Sequence, residues 1–208
     1  MKNITLVFTA LAIAFILNSS FSVDKVPPQY MAGFEKEIAD FSLKNVDNST
    51  FSTADYPEAK GFIVIFTCNH CPFAKLYSER LNAMNTKYKP LNVPVIAINS
   101  MDSLVYEDET FALMRKRADT EGFNFPYLHD ASQQIGKAFK AEHTPQAFVI
   151  WKIGDKWRIK YSGAIDDNGE EPEKATPFIT NAVDELLRGK SVAKPQTESF
   201  GCAIFYRK

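Results

Sequence analysis

The clearest chemical potential in the sequence lies in Cys68 and Cys71, two cysteines separated by two residues. An apolar run at residues 62–66 precedes them, and a helical repeat of apolar residues follows them as far as Tyr88. This order predicts that the cysteines lie where a buried strand ends and a helix begins. The first turn of a helix favours an anion, and the thiolate is the reactive form of cysteine. The sequence therefore predicts a redox-active dithiol.

The residues around the pair suggest a role for each sulfur. By analogy with such sites, we expect Cys68 to be the exposed nucleophile and Cys71 to be the more buried resolving thiol. His70, when protonated, would stabilise a neighbouring thiolate and so tune the cysteine pKa. A stabilised thiolate favours the reduced form, which makes the disulfide more oxidising. A structural four-cysteine zinc site has no remaining ligands, because the chain holds three cysteines.

Thr144 and Pro145 form the second candidate element. They directly precede an apolar run at residues 146–151 that is typical of a strand. A proline cannot donate a ladder hydrogen bond, so it suits the start of a strand. The spacing from the dithiol and the strand behind it favour a loop that faces the cysteines and binds substrate.

Several other polar residues have open or minor roles. His143 is interpreted as a solvated loop histidine, with a ligand or proton donor near the thiols as the alternative. Cys202 is either an idle thiol of the tail or an accessory thiol that traps Cys68 or another molecule; the idle interpretation is slightly favoured. Asp102 and Glu107 are interpreted as solvated carboxylates.

Length and composition set broad limits on function. The chain has 208 residues, 45% of them hydrophobic, and a formal net charge of −1. These values indicate one globular domain with a substantial core. Basic and acidic residues nearly balance, so no nucleic-acid partner is expected. Neither a cofactor nor a resident metal ion is expected.

Residues 1–22 have the pattern of a signal peptide. Lys2 supplies the positive start, and the apolar stretch at residues 4–17 is shorter than the roughly 20 residues of a membrane span. Ser20 and Ser22 supply the small residues of a cleavage site. An uncleaved anchor is the alternative, and it would be the only membrane contact. In either case residues 23–208 are expected to form one domain in the periplasm or outside the cell, where disulfides persist.

The remaining pattern alternates strands and helices. Gly154 supplies the turn of an antiparallel hairpin at one side of the sheet. The order predicts an α/β fold: a central mixed sheet with this hairpin, flanked by helices. The predicted strands are residues 38–43 with a partner near Phe51, then 62–66, 95–99, 146–151 and 156–161; the predicted helices follow residue 72 and cover 110–120, 133–139 and 176–188.

Six segments also carry a family resemblance: residues 40–43, 66–72, 125–128, 144–148, 163–167 and 201–204. Together they resemble the peroxiredoxin-like redoxin proteins of the thioredoxin superfamily, which are related to the AhpC/TSA proteins. The resemblance covers nearly all of residues 23–208. It implies a thioredoxin-like fold, a redox pair at Cys68 and Cys71, and a cis peptide bond before Pro145.

Departures from the family pattern bear on the activity. In typical peroxiredoxins the reactive cysteine is followed by proline and so matches Cys71, with a threonine at the position of Cys68. An arginine that would polarise a peroxide has no counterpart near Thr144. Phe62 stands in the strand where thioredoxin has an acidic residue, so the proton acceptor for Cys71 is not identified.

These patterns lead to one principal hypothesis and two alternatives. The principal hypothesis is an exported thiol–disulfide oxidoreductase that exchanges disulfides with protein or small-molecule thiols through Cys68 and Cys71. The first alternative is a thiol-dependent peroxidase. The second is a copper-handling thioredoxin-like protein, in which the two cysteines and His70 or His143 would offer ligands suited to Cu(I).

Overall fold

The computed structural model describes residues 36–208. The signal peptide predicted at residues 1–22 therefore lies outside the described residues, as does the segment that follows it up to residue 35. Within residues 36–208, no helix is long and apolar enough to cross a bilayer.

Strands and helices alternate along the described chain, and their bounds are as follows. They are β1 (Glu37–Ile38), β2 (Ser42–Asn45), β3 (Thr50–Ser52), β4 (Gly61–Phe66), α1 (Pro72–Lys75), α2 (Ser78–Tyr88), β5 (Val95–Asn99), α3 (Phe111–Thr120), β6 (Tyr127–His129), α4 (Gln134–Phe139), β7 (His143–Thr144), β8 (Gln146–Ile153), β9 (Lys156–Gly163), α5 (Phe178–Leu187) and β10 (Cys202–Ala203).

The main sheet is mixed, with the strand order β1-β9-β8-β4-β5-β6-β2-β3. Strand β5 runs parallel to β4 and β6, whereas β8 runs antiparallel to both β4 and β9. The predicted α/β architecture with a mixed sheet and an antiparallel hairpin is therefore confirmed. The short β1 pairs with β9 and lies beyond the hairpin at that side of the sheet.

Strand β4 is buried on both faces and leads into the dithiol. Its side chains alternate between two hydrophobic layers: Phe62 and Phe66 pack in one, and Ile63 and Ile65 pack in the other. All four are 0% exposed. Burial of side chains of this size contributes about 1.5–3 kcal/mol each, so the end of β4 is a rigid support for the residues that follow.

The helix after the dithiol is interrupted, and the prediction of one continuous helical repeat is wrong at this point. Helix α1 ends at Lys75 and α2 begins at Ser78. Between them, the Tyr77 hydroxyl donates to Asp166 Oδ1 at 3.0 Å. Phe73 and Leu76, which fit the apolar repeat, are instead 53% and 44% exposed.

Candidate dithiol site

The two cysteines lie in the connection between β4 and α1. The backbone N–H of Thr67 still bonds to the Ile98 carbonyl at 2.9 Å, so the chain leaves the sheet just before Cys68. Cys71 is the N-cap residue of α1, and Pro72 occupies the first turn. The predicted position between a strand end and a helix start is thus confirmed, although α1 is a single short turn.

Both cysteines are inaccessible to solvent. Cys68 and Cys71 are each 0% exposed, and both belong to the hydrophobic layer that contains Phe66. The prediction of an exposed Cys68 is therefore wrong. A strand of the C-terminal tail, β10, lies beside the site and pairs with β7.

Both sulfurs converge on Thr144. Cys68 Sγ lies 3.0 Å from Thr144 Oγ1, and Cys71 Sγ donates to the Thr144 carbonyl oxygen at 3.0 Å. The peptide bond between Thr144 and Pro145 is cis, as the family resemblance implied. The sequence thus predicted correctly that this loop faces the dithiol.

The two thiols titrate as a pair. Their mutual hydrogen bond, together with burial, raises the pKa of Cys68; the same bond is the main cause that lowers the pKa of Cys71. This direction applies while Cys68 is the donor. The contact of Cys71 with the Thr144 carbonyl requires the proton on Cys71, because a carbonyl oxygen only accepts. Once the reduced pair has lost one proton, the remaining proton can lie on either sulfur: on Cys68 it leaves Cys71 as the thiolate, and on Cys71, against the Thr144 carbonyl, it leaves Cys68 as the thiolate.

Glu109 is a buried carboxylate of the site that the sequence analysis missed. Its Oε1 accepts from the His70 backbone N–H at 2.9 Å and lies 2.6 Å from His70 Nδ1. Its Oε2 accepts from the Asn69 backbone N–H at 3.0 Å and from Asn99 Nδ2 at 2.6 Å. The Glu109 side chain is 0% exposed. It therefore fixes the two residues between the cysteines.

Glu109 also changes the expected role of His70. The His70 ring stacks on Tyr106 with centroids 4.7 Å apart and is paired with the carboxylate. The Glu109 charge contributes to the raised pKa of Cys68. That His70 lowers the pKa of a neighbouring cysteine stays a prediction, and the negative charge of Glu109 beside the ring opposes this effect.

The carboxylates that the sequence analysis did consider behave differently from each other. Glu107 is exposed, as predicted. Asp102 is buried, accepts from the Leu104 N–H at 2.9 Å and lies 3.2 Å from Arg207 Nε, so its assignment as a solvated carboxylate is wrong. The sequence feature that could have indicated Glu109 is its position directly before Thr110, the N-cap residue of α3.

Arg117 of α3 holds the dithiol loop, which is the connection at residues 67–71 between β4 and α1. Its guanidinium donates to the Cys68 carbonyl oxygen and, at 3.4 Å, to the Ala74 carbonyl oxygen, while its Nε donates to Glu121 at 3.0 Å. The side chain is buried. An arginine thus lies near the cysteines, but these donors are directed at backbone carbonyls.

The two remaining candidates, His143 and Cys202, lie on the paired strands β7 and β10. His143 is half-buried in β7, so the interpretation as a solvated loop residue is wrong, and its Nδ1 has no hydrogen-bond partner among the described residues. Cys202 is half-buried in β10, directly opposite Thr144.

Cys68, His70 and Glu109 form a group with metal-ligand character. One ligand atom from each lies within 4.8 Å of the others. Both Glu109 oxygens already accept two N–H groups each, so the carboxylate has little capacity left for an ion. The Cu(I) set predicted from the sequence relied on Cys71, which is not in this group.

The fold and this site define a thioredoxin-like protein in which a buried dithiol faces a cis-proline loop. The family model described as AhpC/TSA matches residues 34–159. The chain therefore belongs to the AhpC/TSA family. No curated protein matches it at a significant level.

Solved structures of other proteins are similar to this chain in fold. A hypothetical protein from Sinorhizobium meliloti 1021 is 32% identical, with a TM-score of 0.75 over 84% of this chain and 94% of its own. An uncharacterized conserved protein from Geobacillus kaustophilus is also 32% identical, with a TM-score of 0.74 over 84% of this chain and 92% of its own. The peroxidoxin BcpB of Mycobacterium tuberculosis shares the fold, at 12% identity and a TM-score of 0.53 over 66% of this chain and 89% of its own.

Proposed function

We propose that the protein is an exported thiol–disulfide oxidoreductase with Cys68 and Cys71 as its redox pair. The observation that carries the proposal is the convergence of both sulfurs on Thr144, directly before the cis bond to Pro145. Membership of the AhpC/TSA family supports a thiol-based redox activity.

In the proposed reaction, the Cys68 thiolate attacks one sulfur of a partner disulfide. The Thr144 hydroxyl can donate to that thiolate, while Cys71 keeps the shared proton against the Thr144 carbonyl. A mixed disulfide forms, and the partner's other sulfur leaves as a thiolate. Cys71 then loses its proton and attacks Cys68, which releases the reduced partner and leaves a Cys68–Cys71 disulfide. The reverse sequence oxidises a partner dithiol.

Apolar side chains beside the site favour a protein partner over a small thiol. Phe73, Leu76 and Phe200 are each more than 40% exposed. They line a pocket of about 270 Å³ together with Pro145. An extended segment of a partner would bury this surface as its disulfide reached the dithiol.

Trapping tests the proposal directly. In the Cys71→Ser variant the resolving sulfur is missing, so partner chains should accumulate as adducts on Cys68 in an oxidising compartment. The variant that lacks both Cys68 and Cys71 is the matched control, because it keeps Cys202. Failure of the purified Cys71→Ser variant to form an adduct with either cellular proteins or a model disulfide would count against the proposal.

Export is proposed on the pattern of residues 1–22 and on the compartment in which disulfides persist. N-terminal sequencing of protein recovered from the periplasm or medium should begin at residue 23. Recovery of the full-length chain in the cytosolic fraction alone would contradict export.

A thiol-dependent peroxidase is the second candidate, favoured by family membership. The buried Arg117 directs donors to the carbonyls of Cys68 and Ala74, so these donors do not stabilise charge on a peroxide oxygen. Stopped-flow consumption of hydrogen peroxide by the reduced protein separates the two candidates, with rapid turnover supporting the peroxidase.

A further inference from the structure

The C-terminal tail adds a strand to the site. Strand β10 pairs antiparallel with β7, so that Cys202 lies opposite Thr144 and Ala203 lies opposite His143. The next residue extends the pairing, because the Ile204 N–H bonds to the Glu142 carbonyl at 2.8 Å. An extended segment that pairs with a free strand edge is a general mode of peptide recognition. Here the chain supplies that segment itself, directly before the cis-proline.

The tail fits this position closely. Gly201 has a φ of +152°, and a Cβ atom at this residue would lie 2.0 Å from the Thr144 carbonyl oxygen. Only glycine allows the backbone to approach so near in this conformation. The chain beyond is also held, because Tyr206 donates to the Ala141 carbonyl at 2.7 Å and the Arg207 N–H bonds to Gln133 at 2.8 Å. The tail is therefore docked in one register.

This docking places a third sulfur between solvent and the dithiol. Cys202 packs against the hydrophobic layer that contains Cys68 and Cys71, and it lies directly opposite Thr144, whose carbonyl oxygen accepts from the Cys71 sulfur at 3.0 Å. Cys68 and Cys71 are 0% exposed, whereas Cys202 is half-buried. Among the three sulfurs, Cys202 is thus the one that an external thiol reaches without movement of the tail.

We propose that the tail strand occupies in cis the position of an extended partner segment, and that Cys202 is a third redox thiol that exchanges with the Cys68–Cys71 disulfide. The inference rests on the proposed function, because it requires that disulfide to form. Cys202 loses its proton to solvent and attacks the Cys71 sulfur. A Cys71–Cys202 bond forms and the Cys68–Cys71 bond breaks, so that Cys68 leaves as a thiolate and takes up a proton. The protein gains and loses no electrons in this step.

An external thiol completes the transfer at the accessible sulfur. Its thiolate attacks Cys202 and releases Cys71, which takes up a proton. A second external thiol then attacks the mixed disulfide on Cys202 and frees it. In total two external thiols are oxidised to one disulfide, and one protein disulfide is reduced to two thiols.

Disulfide mapping in the Cys68→Ser variant tests the placement of the third thiol. This variant keeps Cys71 and Cys202, and one equivalent of oxidised glutathione should convert them to an intramolecular disulfide with release of two molecules of glutathione. The Cys71→Ser variant is the matched control and should yield mainly glutathione adducts. Separate glutathione adducts on Cys71 and Cys202, with no bond between them, would overturn the proposal.

The Cys202→Ser variant tests the route of electrons and keeps the dithiol intact. Reduction of its Cys68–Cys71 disulfide by glutathione should be slower than in the unaltered protein by about tenfold or more, because exchange then waits for the tail to detach. Equal rates would overturn the relay through Cys202. If the Cys68–Cys71 disulfide forms in neither protein, the proposed function itself fails, which separates the two conclusions.

Discussion

Replacement of Glu109 by glutamine is the sharpest test of how the dithiol loop is held. The two carboxylate oxygens together accept from four nitrogen donors in a fully buried position. A glutamine keeps one oxygen, so its amide group faces the other two donors. If the amide faces His70, the ring can change tautomer and accept, but the His70 backbone N–H loses its acceptor. An unsatisfied buried donor costs about 1–3 kcal/mol, so Glu109→Gln should destabilise the fold by at least that amount.

The same substitution should change the chemistry of the pair. The Glu109 charge contributes to the raised pKa of Cys68, so its removal should lower that pKa. Ultraviolet absorbance of the thiolate, followed against pH in the reduced protein, measures this change, and urea unfolding of the same samples measures stability. The pKa of Cys68 and the free energy of unfolding should both decrease, because the same carboxylate holds the loop and repels the thiolate.

Glu107→Gln is the matched control. It makes the same chemical change two residues away, on an exposed side chain of the same turn. Surface substitutions of this kind usually change stability by less than about 0.5 kcal/mol. If Glu109→Gln is no more destabilising than Glu107→Gln, the account of Glu109 as the anchor of the dithiol loop is refuted.

Three further predictions follow from other contacts. Hydrogen bonds from Trp157 and Thr53 lower the pKa of Asp40 from 3.8, so this carboxylate stabilises the fold above about pH 4. Asp40 is exposed and asparagine can still accept a hydrogen bond, so Asp40→Asn should cost less than about 1 kcal/mol at neutral pH; this loss should shrink as pH falls below about 4, and urea unfolding at several pH values measures it. Gly201→Ala should displace the tail and speed alkylation of the dithiol several-fold, whereas Gly122→Ala, at a positive φ of 58° with open space around it, should leave alkylation unchanged. Burial raises the pKa of Cys202 to about 11, so its alkylation should accelerate about tenfold per pH unit from pH 7 to 9; a flat profile would contradict the burial of this thiol.

The parts of the site that the sequence predicted are those encoded by local pattern. The apolar run that forms β4, the two cysteines and the following Pro72 lie within about a dozen residues, and their order alone indicates a strand end and a helix start. Thr144 was found for a similar reason, because an apolar strand follows it directly. In each case burial on both faces of the sheet leaves an uninterrupted apolar signal.

The parts that the sequence could not predict depend on contacts between distant segments. Strand β10 covers two residues, which is too short for any periodicity, and its register is set by the close approach of Gly201 to Thr144. Glu109 lies forty residues from Asn69, and nothing in the pattern of the intervening chain pairs them. The interruption between α1 and α2 contains Tyr77, whose hydroxyl donates to Asp166, eighty-nine residues away.

The pairing of Glu109 with His70 alters the expected reactivity of the dithiol. From the sequence, a protonated His70 would stabilise a thiolate and make the disulfide oxidising. In the structure the imidazole lies 2.6 Å from a buried carboxylate, and the two together carry little net charge when the histidine is protonated. The buried carboxylate thus offsets the positive charge through which His70 was expected to stabilise a thiolate, and its own charge contributes to the raised pKa of Cys68. Glu109, which no local sequence pattern pairs with the cysteines, therefore opposes the Cys68 thiolate and so the reduced form of the pair.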